Sequence, residues 1–287
     1  MSKGDPILAI RRILVALDSS PHSLAALQAA VDLAARMDAE LLGLFVEDTA
    51  LMRLAEVPYT REVLYFSVAG VPLTPASMES KLKAQSEQIR RALAAAAQHA
   101  HVAWSFRAVR GEVASEVLAA ATEADLLALG RGGWSVGCRV RAGSTALEMA
   151  ASTIPVLLLP RDKVPEKAHL VVYYDGSAAA QRGLQAAAEL ARTGMDGITV
   201  LAGSGNHFEM ELIEEALSDG GEIEIRHRVF DPASKKSLLD ALAAERNGIL
   251  VLGSRELLTK LPPLETFLCE MEMPLLLLGD GANPEAG

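Results

Sequence analysis

The chain has 287 residues and a net charge of −10, with 50% hydrophobic but only 4% aromatic residues. A surface with that charge repels nucleic acid and anionic membranes, so neither is an expected partner, and any bound anion needs a local site. No stretch approaches the roughly 18–20 uncharged apolar residues of a membrane-spanning helix, the start lacks a signal-peptide pattern, and two cysteines make no disulfide framework. A cytoplasmic protein with an aliphatic α/β core is the expectation.

The chain opens with a short apolar strand, about 12–18, ending ILVALD at Asp18, then a helix over about 20–36. Ser20 reads as the helix cap with Pro21 in the first turn, a better account of Asp18-Ser19-Ser20 than a nucleophile. A second strand spans about 40–46. The segment 48–77, with Pro58, Gly70, Pro72 and Pro75 around Leu64, Tyr65 and Phe66, reads either as a lid or interface loop with a short helix, or as a packed surface excursion. A helix over about 76–100, a strand at 104–109, a helix at 113–122 and strands at 126–130 and 155–159 follow, with a helix over 144–152 between the last two. Alternating strands and helices argue a parallel sheet with right-handed crossovers.

The order then repeats. LQAAVDLA at 27–34 returns as LQAAAELA at 184–191, and LVVYYD ends at Asp175, both 157 residues further on. Strands are expected near 169–174, 197–202, 222–229, 248–252 and 274–278. DLLALG ends at Gly130 and GILVLG at Gly253, now 123 apart, and PVLLLP and PLLLLG start 119 apart at Pro155 and Pro274. The second copy has therefore lost 34 residues after its second strand and four more after its fourth. Glu222-Ile223-Glu224-Ile225-Arg226 alternates, which puts the third strand at a sheet edge. Val156–Leu159 and Leu275–Leu278 are apolar throughout, and an apolar edge invites aggregation unless it is covered. The two are expected to cover each other, antiparallel.

After the fourth strand comes Gly130-Arg131-Gly132-Gly133, nine residues, then Gly143-Ser144-Thr145 opening a helix: G-x2-G-x9-G-[ST]. Glycines let backbone N–H groups approach phosphate oxygens, and a helix start adds hydroxyls and a positive dipole end. Arg131, Arg139 and Arg141 lie here with no acid between Gly130 and Thr145. The second copy instead has Glu256, Pro262, Pro263 and Glu265, and reads as having lost phosphate binding.

The strand-Asp opening ILVALDSSPHS, this loop and the closing STIPVLLLP resemble the universal stress protein family. The resemblance implies two repeated Rossmann-like domains of the adenine nucleotide alpha-hydrolase-like kind, 1–162 with the ATP-binding loop and 168–281 without it. Each would be a parallel five-stranded sheet of order 3-2-1-4-5, and the two would form an intramolecular pseudo-dimer. It implies an ATP site, with Mg2+ held through the phosphates, made of Asp18, Phe45, Leu129, Gly130, Gly133, Gly143, Ser144 and Thr145. Here Arg131-Gly132 follow the first glycine where many relatives have Ser or Thr and then His or Arg, and Phe45 is bulkier than the usual aliphatic residue.

A nucleotide-responsive regulator of stress response, with a protein partner and room for a further homodimer, is the leading expectation. A nucleotide-free scaffold and a slow ATPase or adenylate-transferring enzyme are the alternatives. The last class needs a Ser-Gly-Gly-type loop where Asp18-Ser19-Ser20-Pro21 stands, and no catalytic residue is named. The six histidines make no metal spacing, and Cys138 reads as either a redox sensor or an inert thiol.

Overall fold

The computed structural model describes residues 7–62, 70–130, 154–160, 169–204, 223–245, 247–254 and 273–279. The strands are β1 Arg12–Ala16, β2 Glu40–Asp48, β3 Arg61–Glu62, β4 Val71–Pro72, β5 Trp104–Gly111, β6 Leu126–Gly130, β7 Val156–Leu159, β8 His169–Tyr174, β9 Ile198–Gly203, β10 Ile225–Phe230, β11 Gly248–Leu252 and β12 Leu275–Leu277. The helices are α1 Pro21–Met37, α2 Thr49–Glu56, α3 Pro75–His99, α4 Val113–Ala121, α5 Ala178–Ala191 and α6 Lys235–Ala244.

Ten strands form one sheet in the order β10-β9-β8-β11-β12-β7-β6-β1-β2-β5. Every neighbouring pair is parallel except β12 and β7, which run antiparallel with Leu275 opposite Leu158, Leu276 opposite Leu157 and Leu277 opposite Val156. The two apolar leucine rows thus cover each other at the middle of the sheet. All four residues of β7 and all three of β12 are buried. The inner strands are near-continuous aliphatic runs because helices cover both faces.

The alternating third strand lies at an edge, but it begins at Ile225, three residues later than the pattern predicts. Arg226 and His227 are exposed there and Val229 is 64% exposed, which makes a poor template for edge-to-edge pairing. β5 closes the other edge.

The helices carry small residues on their inner faces. α1 buries Ala26, Leu27, Ala30, Val31 and Ala34, and α5 buries Gly183, Leu184, Ala187, Ala188 and Ala191, each 157 positions on. This i, i+3, i+4 stripe of small side chains lets each helix lie close to the sheet. α3 buries Met78, Leu82, Ile89, Leu93 and Ala97, and starts with a reciprocal cap between Thr74 and Ser77.

The segment between β2 and α3 contains the short helix α2 and the antiparallel ribbon β3–β4. Leu51, Leu54, Val57, Tyr59 and Val71 are exposed on it. Tyr65 and Phe66 lie outside the described residues. Among the described residues, no helix is long and apolar enough to cross a membrane.

One buried charge stands out at the amino ends of the later strands. Glu245, 7% exposed, accepts from Arg228 Nε at 2.7 Å, lies 2.7 Å from His169 Nε2, and takes the Thr199 hydroxyl at 3.4 Å. Burial pushes its carboxyl up, but the hydrogen bonds and charges of Arg228 and His169 outweigh burial and hold it below the ordinary range.

Candidate functional site

The crevice forms where β1 ends early. The last β1 residue is Ala16, and Leu17 N–H donates to Leu44 carbonyl at 2.9 Å. The sequence reading carried the strand to Asp18. The chain turns away sooner because Ser19 takes a left-handed conformation, φ 63°, which ends the extended run.

The turn is held by three hydrogen bonds. Ser20 N–H donates to Asp18 Oδ1 at 3.0 Å, Asp18 N–H donates to Ser23 Oγ at 3.0 Å, and Ser23 N–H donates to Ser20 Oγ at 3.1 Å. Ser20 is thereby the cap of α1, as the sequence reading expected, and Pro21 fills the first turn. The Ser19 hydroxyl is buried with no hydrogen-bond partner among the described residues. Leaving such a group unmatched costs about 1–3 kcal/mol, so this corner fits an added polar partner.

β6 lies beside β1, with Val15 opposite Ala128, so Asp18 and Gly130 close the ends of adjacent strands. Both stand at the carboxyl edge of the sheet, beside the point where the chain leaves β1 in one direction and β6 in the other, the region open α/β sheets use for ligands. Asp18 is exposed, Gly130 half-buried and Leu129 buried. Phe45 is 3% exposed inside β2, opposite Ala108, and β2 runs on to Asp48. Gly133, Gly143, Ser144 and Thr145 lie outside the described residues, so four of the eight candidates are placed.

Gly130 has a packing role the sequence did not show. A Cβ there would lie 2.7 Å from both the carbonyl carbon and the oxygen of His22, in the first turn of α1. The bare glycine lets the helix start sit directly on the strand end.

The later half builds the same turn. Ser177 N–H donates to Asp175 Oδ1 at 3.0 Å, Ala180 N–H donates to Ser177 Oγ at 3.2 Å, and Gly176 has φ 81°. Gly253 presses on the first turn of α5: a Cβ would lie 2.6 Å from Gly183 N and closer still to the Ala179 carbonyl oxygen. Ala179 lies 157 residues after His22, and Gly176 157 after Ser19.

The filling differs. Tyr173 stands 157 residues after Ala16 and Tyr174 after Leu17. Both tyrosines are buried, and the Tyr173 ring lies 5.8 Å from that of Phe230. The Arg182 guanidinium donates to the Gly253 carbonyl at 3.1 Å, where the earlier half has Ala25. Sequence reasoning missed both features. The repeat offset carries a signal for them, since it sets Tyr against Ala and Arg against Ala at the two crevices.

Comparison with known proteins supports this architecture. A family model described as universal stress protein family matches residues 9–160. No curated protein matches the chain by sequence. A universal stress protein from Archaeoglobus fulgidus is 18% identical with a TM-score of 0.67, over 94% of this chain and 99% of that one. A putative universal stress protein from Pseudomonas aeruginosa is 13% identical with a TM-score of 0.52, over 95% and 94%. A shorter universal stress protein, solved in complex with cAMP, is 21% identical with a TM-score of 0.38, over 54% and 99%. With its family model spanning residues 9–160 and the strand–turn–helix of β1 and α1 inside that span, this chain belongs to the universal stress protein family.

Proposed function

We propose that the chain is a cytoplasmic tandem universal stress protein whose first unit, 1–162, binds one ATP, while the second, 168–281, is its bound, nucleotide-free partner. Family membership supports a role in the stress response. The finer reading is a nucleotide-responsive regulator.

The tandem reading is supported by the sheet itself. Counted from β1, the earlier strands lie as third, second, first, fourth, fifth. Counted from β8, the later ones lie in the same order from the other edge, and the two fifth strands meet. That arrangement supports the reading of a pseudo-dimer within one chain.

The observation that carries the nucleotide reading is the contrast between two crevices on one scaffold. Both keep the Asp turn and the strand-end glycine. Only the earlier combines Ala16, an unmatched Ser19 hydroxyl and the loop Gly130-x2-Gly133-x9-Gly143-Ser144. By the sequence pattern, the glycines would leave N–H groups open to phosphate oxygens, and Ser144 and Thr145 would add hydroxyls. In the later half Tyr173 is buried, Arg182 binds the strand-end carbonyl of Gly253, and the sequence beyond it carries Glu256 and Glu265, acids that would repel phosphate. The Asp turn occurs in both halves, so it is scaffold first. In the earlier one the Asp18 carboxylate also orients the ribose side of the ligand. ATP with Mg2+ would supply the charge that Arg131, Arg139 and Arg141 of the loop would answer.

Calorimetric titration with ATP and Mg2+ is expected to give a stoichiometry near one. Gly143→Val is expected to abolish that binding in a folded chain. A value near two overturns the asymmetry, and no binding at all favours the scaffold alternative.

Asp18→Asn provides a separate check. An asparagine carbonyl still accepts from Ser20 N–H, so the turn and the unfolding midpoint are expected to hold. ATP affinity is expected to fall about tenfold, the loss of one charge-assisted hydrogen bond. Unchanged affinity would restrict Asp18 to a scaffold role.

A further inference from the structure

The segment before β1 reaches across the molecule. Ile7 N–H and Leu8 N–H donate to the two carboxylate oxygens of Glu189, at 2.9 and 2.8 Å. Glu189 belongs to α5, more than 180 residues away in the chain. At the other end of the same segment, Arg11 N–H and Arg12 N–H both donate to Asp125 Oδ2, at 2.8 and 2.9 Å. Asp125 immediately precedes β6. Between the two grips, Leu8 is 7% and Ile10 6% exposed, both within the hydrophobic core.

These observations describe one short stretch held at both ends by carboxylates from different halves. Charge-assisted bonds of this kind are about twice as strong as neutral ones, and two on one carboxylate fix its position. The contact is reinforced beside it: Arg36 Nη1, at the end of α1, donates to the Gly194 carbonyl just past α5. β7 and β12 join the halves through the sheet, so the segment is a second and independent connection, made through the helices.

We propose that residues 7–10 are a clasp that locks α5 of the later half onto the strands of the earlier one, and that it opens without unfolding either half. Its Glu189 end is the weak end, because two hydrogen bonds from Ile7 and Leu8 hold it, whereas Arg11 and Arg12 are also bonded to Glu40, Glu123 and Asp125 and the β7–β12 seam is buried. Segments with few buried contacts open first. The proposal stands whether or not ATP binds.

Limited thermolysin digestion tests it on the full chain, since the bonds before Leu8 and Ile10 lie in the segment and cleavage follows the open population when opening is fast. Glu189→Ala is expected to speed cleavage at these two sites about tenfold, giving one clip and an otherwise intact chain, because both bonds at that end are lost. Glu189→Gln keeps one acceptor and is expected to fall between Ala and wild type. Deleting residues 1–10 is expected to raise hydrogen exchange across 178–195 by about tenfold, with exchange in β6 and β7 unchanged. Clipping of Glu189→Ala at the wild-type rate overturns the clasp, as does faster cutting all along the chain. Unchanged exchange over 178–195 in the deleted chain overturns it equally.

Discussion

Gly253→Ala is expected to leave little folded protein, and Gly130→Ala to weaken folding measurably. The added methyl at 253 would stand 2.6 Å from Gly183 N and nearer still to the Ala179 carbonyl, both backbone atoms of α5. Backbone cannot rotate aside as a side chain can, so the helix must lift off the strand end and carry Leu184 and Ala187 out of the core with it. Overpacking of a well-filled core costs about 1–3 kcal/mol and more where nothing yields, a large share of the usual 5–15 kcal/mol of folding stability. At 130 the nearest atoms are His22 C and O at 2.7 Å, so a smaller shift suffices and about 2 kcal/mol is expected. Urea midpoints of the two variants check the order. A Gly253→Ala chain as stable as wild type would show that the helix start is not seated on the strand. Gly130 is for this reason a poor handle on ligand binding: a valine there damages the fold before it blocks a phosphate. Gly143 is the cleaner choice.

Glu245→Gln is expected to cost about 2 kcal/mol at neutral pH. The carboxylate is buried, and it joins His169 of β8, Thr199 of β9 and Arg228 of β10. The amide keeps the shape but loses the charge, leaving Arg228 and His169 short of a partner. The figure is kept modest because the Arg228 side chain is 42% exposed and water screens it. The pH dependence has a definite sign. Glu245 titrates lower when folded than the ordinary value of 4.5. Its contribution is therefore fully present above that value and is lost as pH falls through the folded one. The gap between wild type and Glu245→Gln, read from urea unfolding at pH 7 and again at successively lower pH, is expected to close in acid. A gap that is constant, or that widens in acid, would show that the charge does not stabilise the fold.

Most of the strands followed from periodicity and from the repeat, while their order came from the family resemblance. Continuous apolar runs marked the inner strands, and alternation at 222–226 marked an edge. The residues that resisted reading are those whose role depends on distant contacts. Gly130 looked like a phosphate glycine because the loop motif begins there, and its contact with His22 is invisible in spacing. Glu245 drew no notice in the sequence, since its partners His169, Thr199 and Arg228 come from three separate strands. Glu189 gave no sign of reaching Ile7 and Leu8. Ser19 was the near miss. A serine at φ 63° is not legible alone, but its repeat partner is Gly176, and a glycine matched to a serine after a strand marks a left-handed turn. Half of the candidate site, Asp18, Phe45, Leu129 and Gly130, could be placed, and the rest lies in the loop beyond 130.

The antiparallel seam between β7 and β12 has a consequence for concentration. Two separate polypeptides joined along such a strand would come apart on dilution. Here both strands belong to one polypeptide, which holds them at an effective local concentration on the order of millimolar however scarce the protein becomes in the cell. The joined form therefore persists at any expression level, and no copy has to find another.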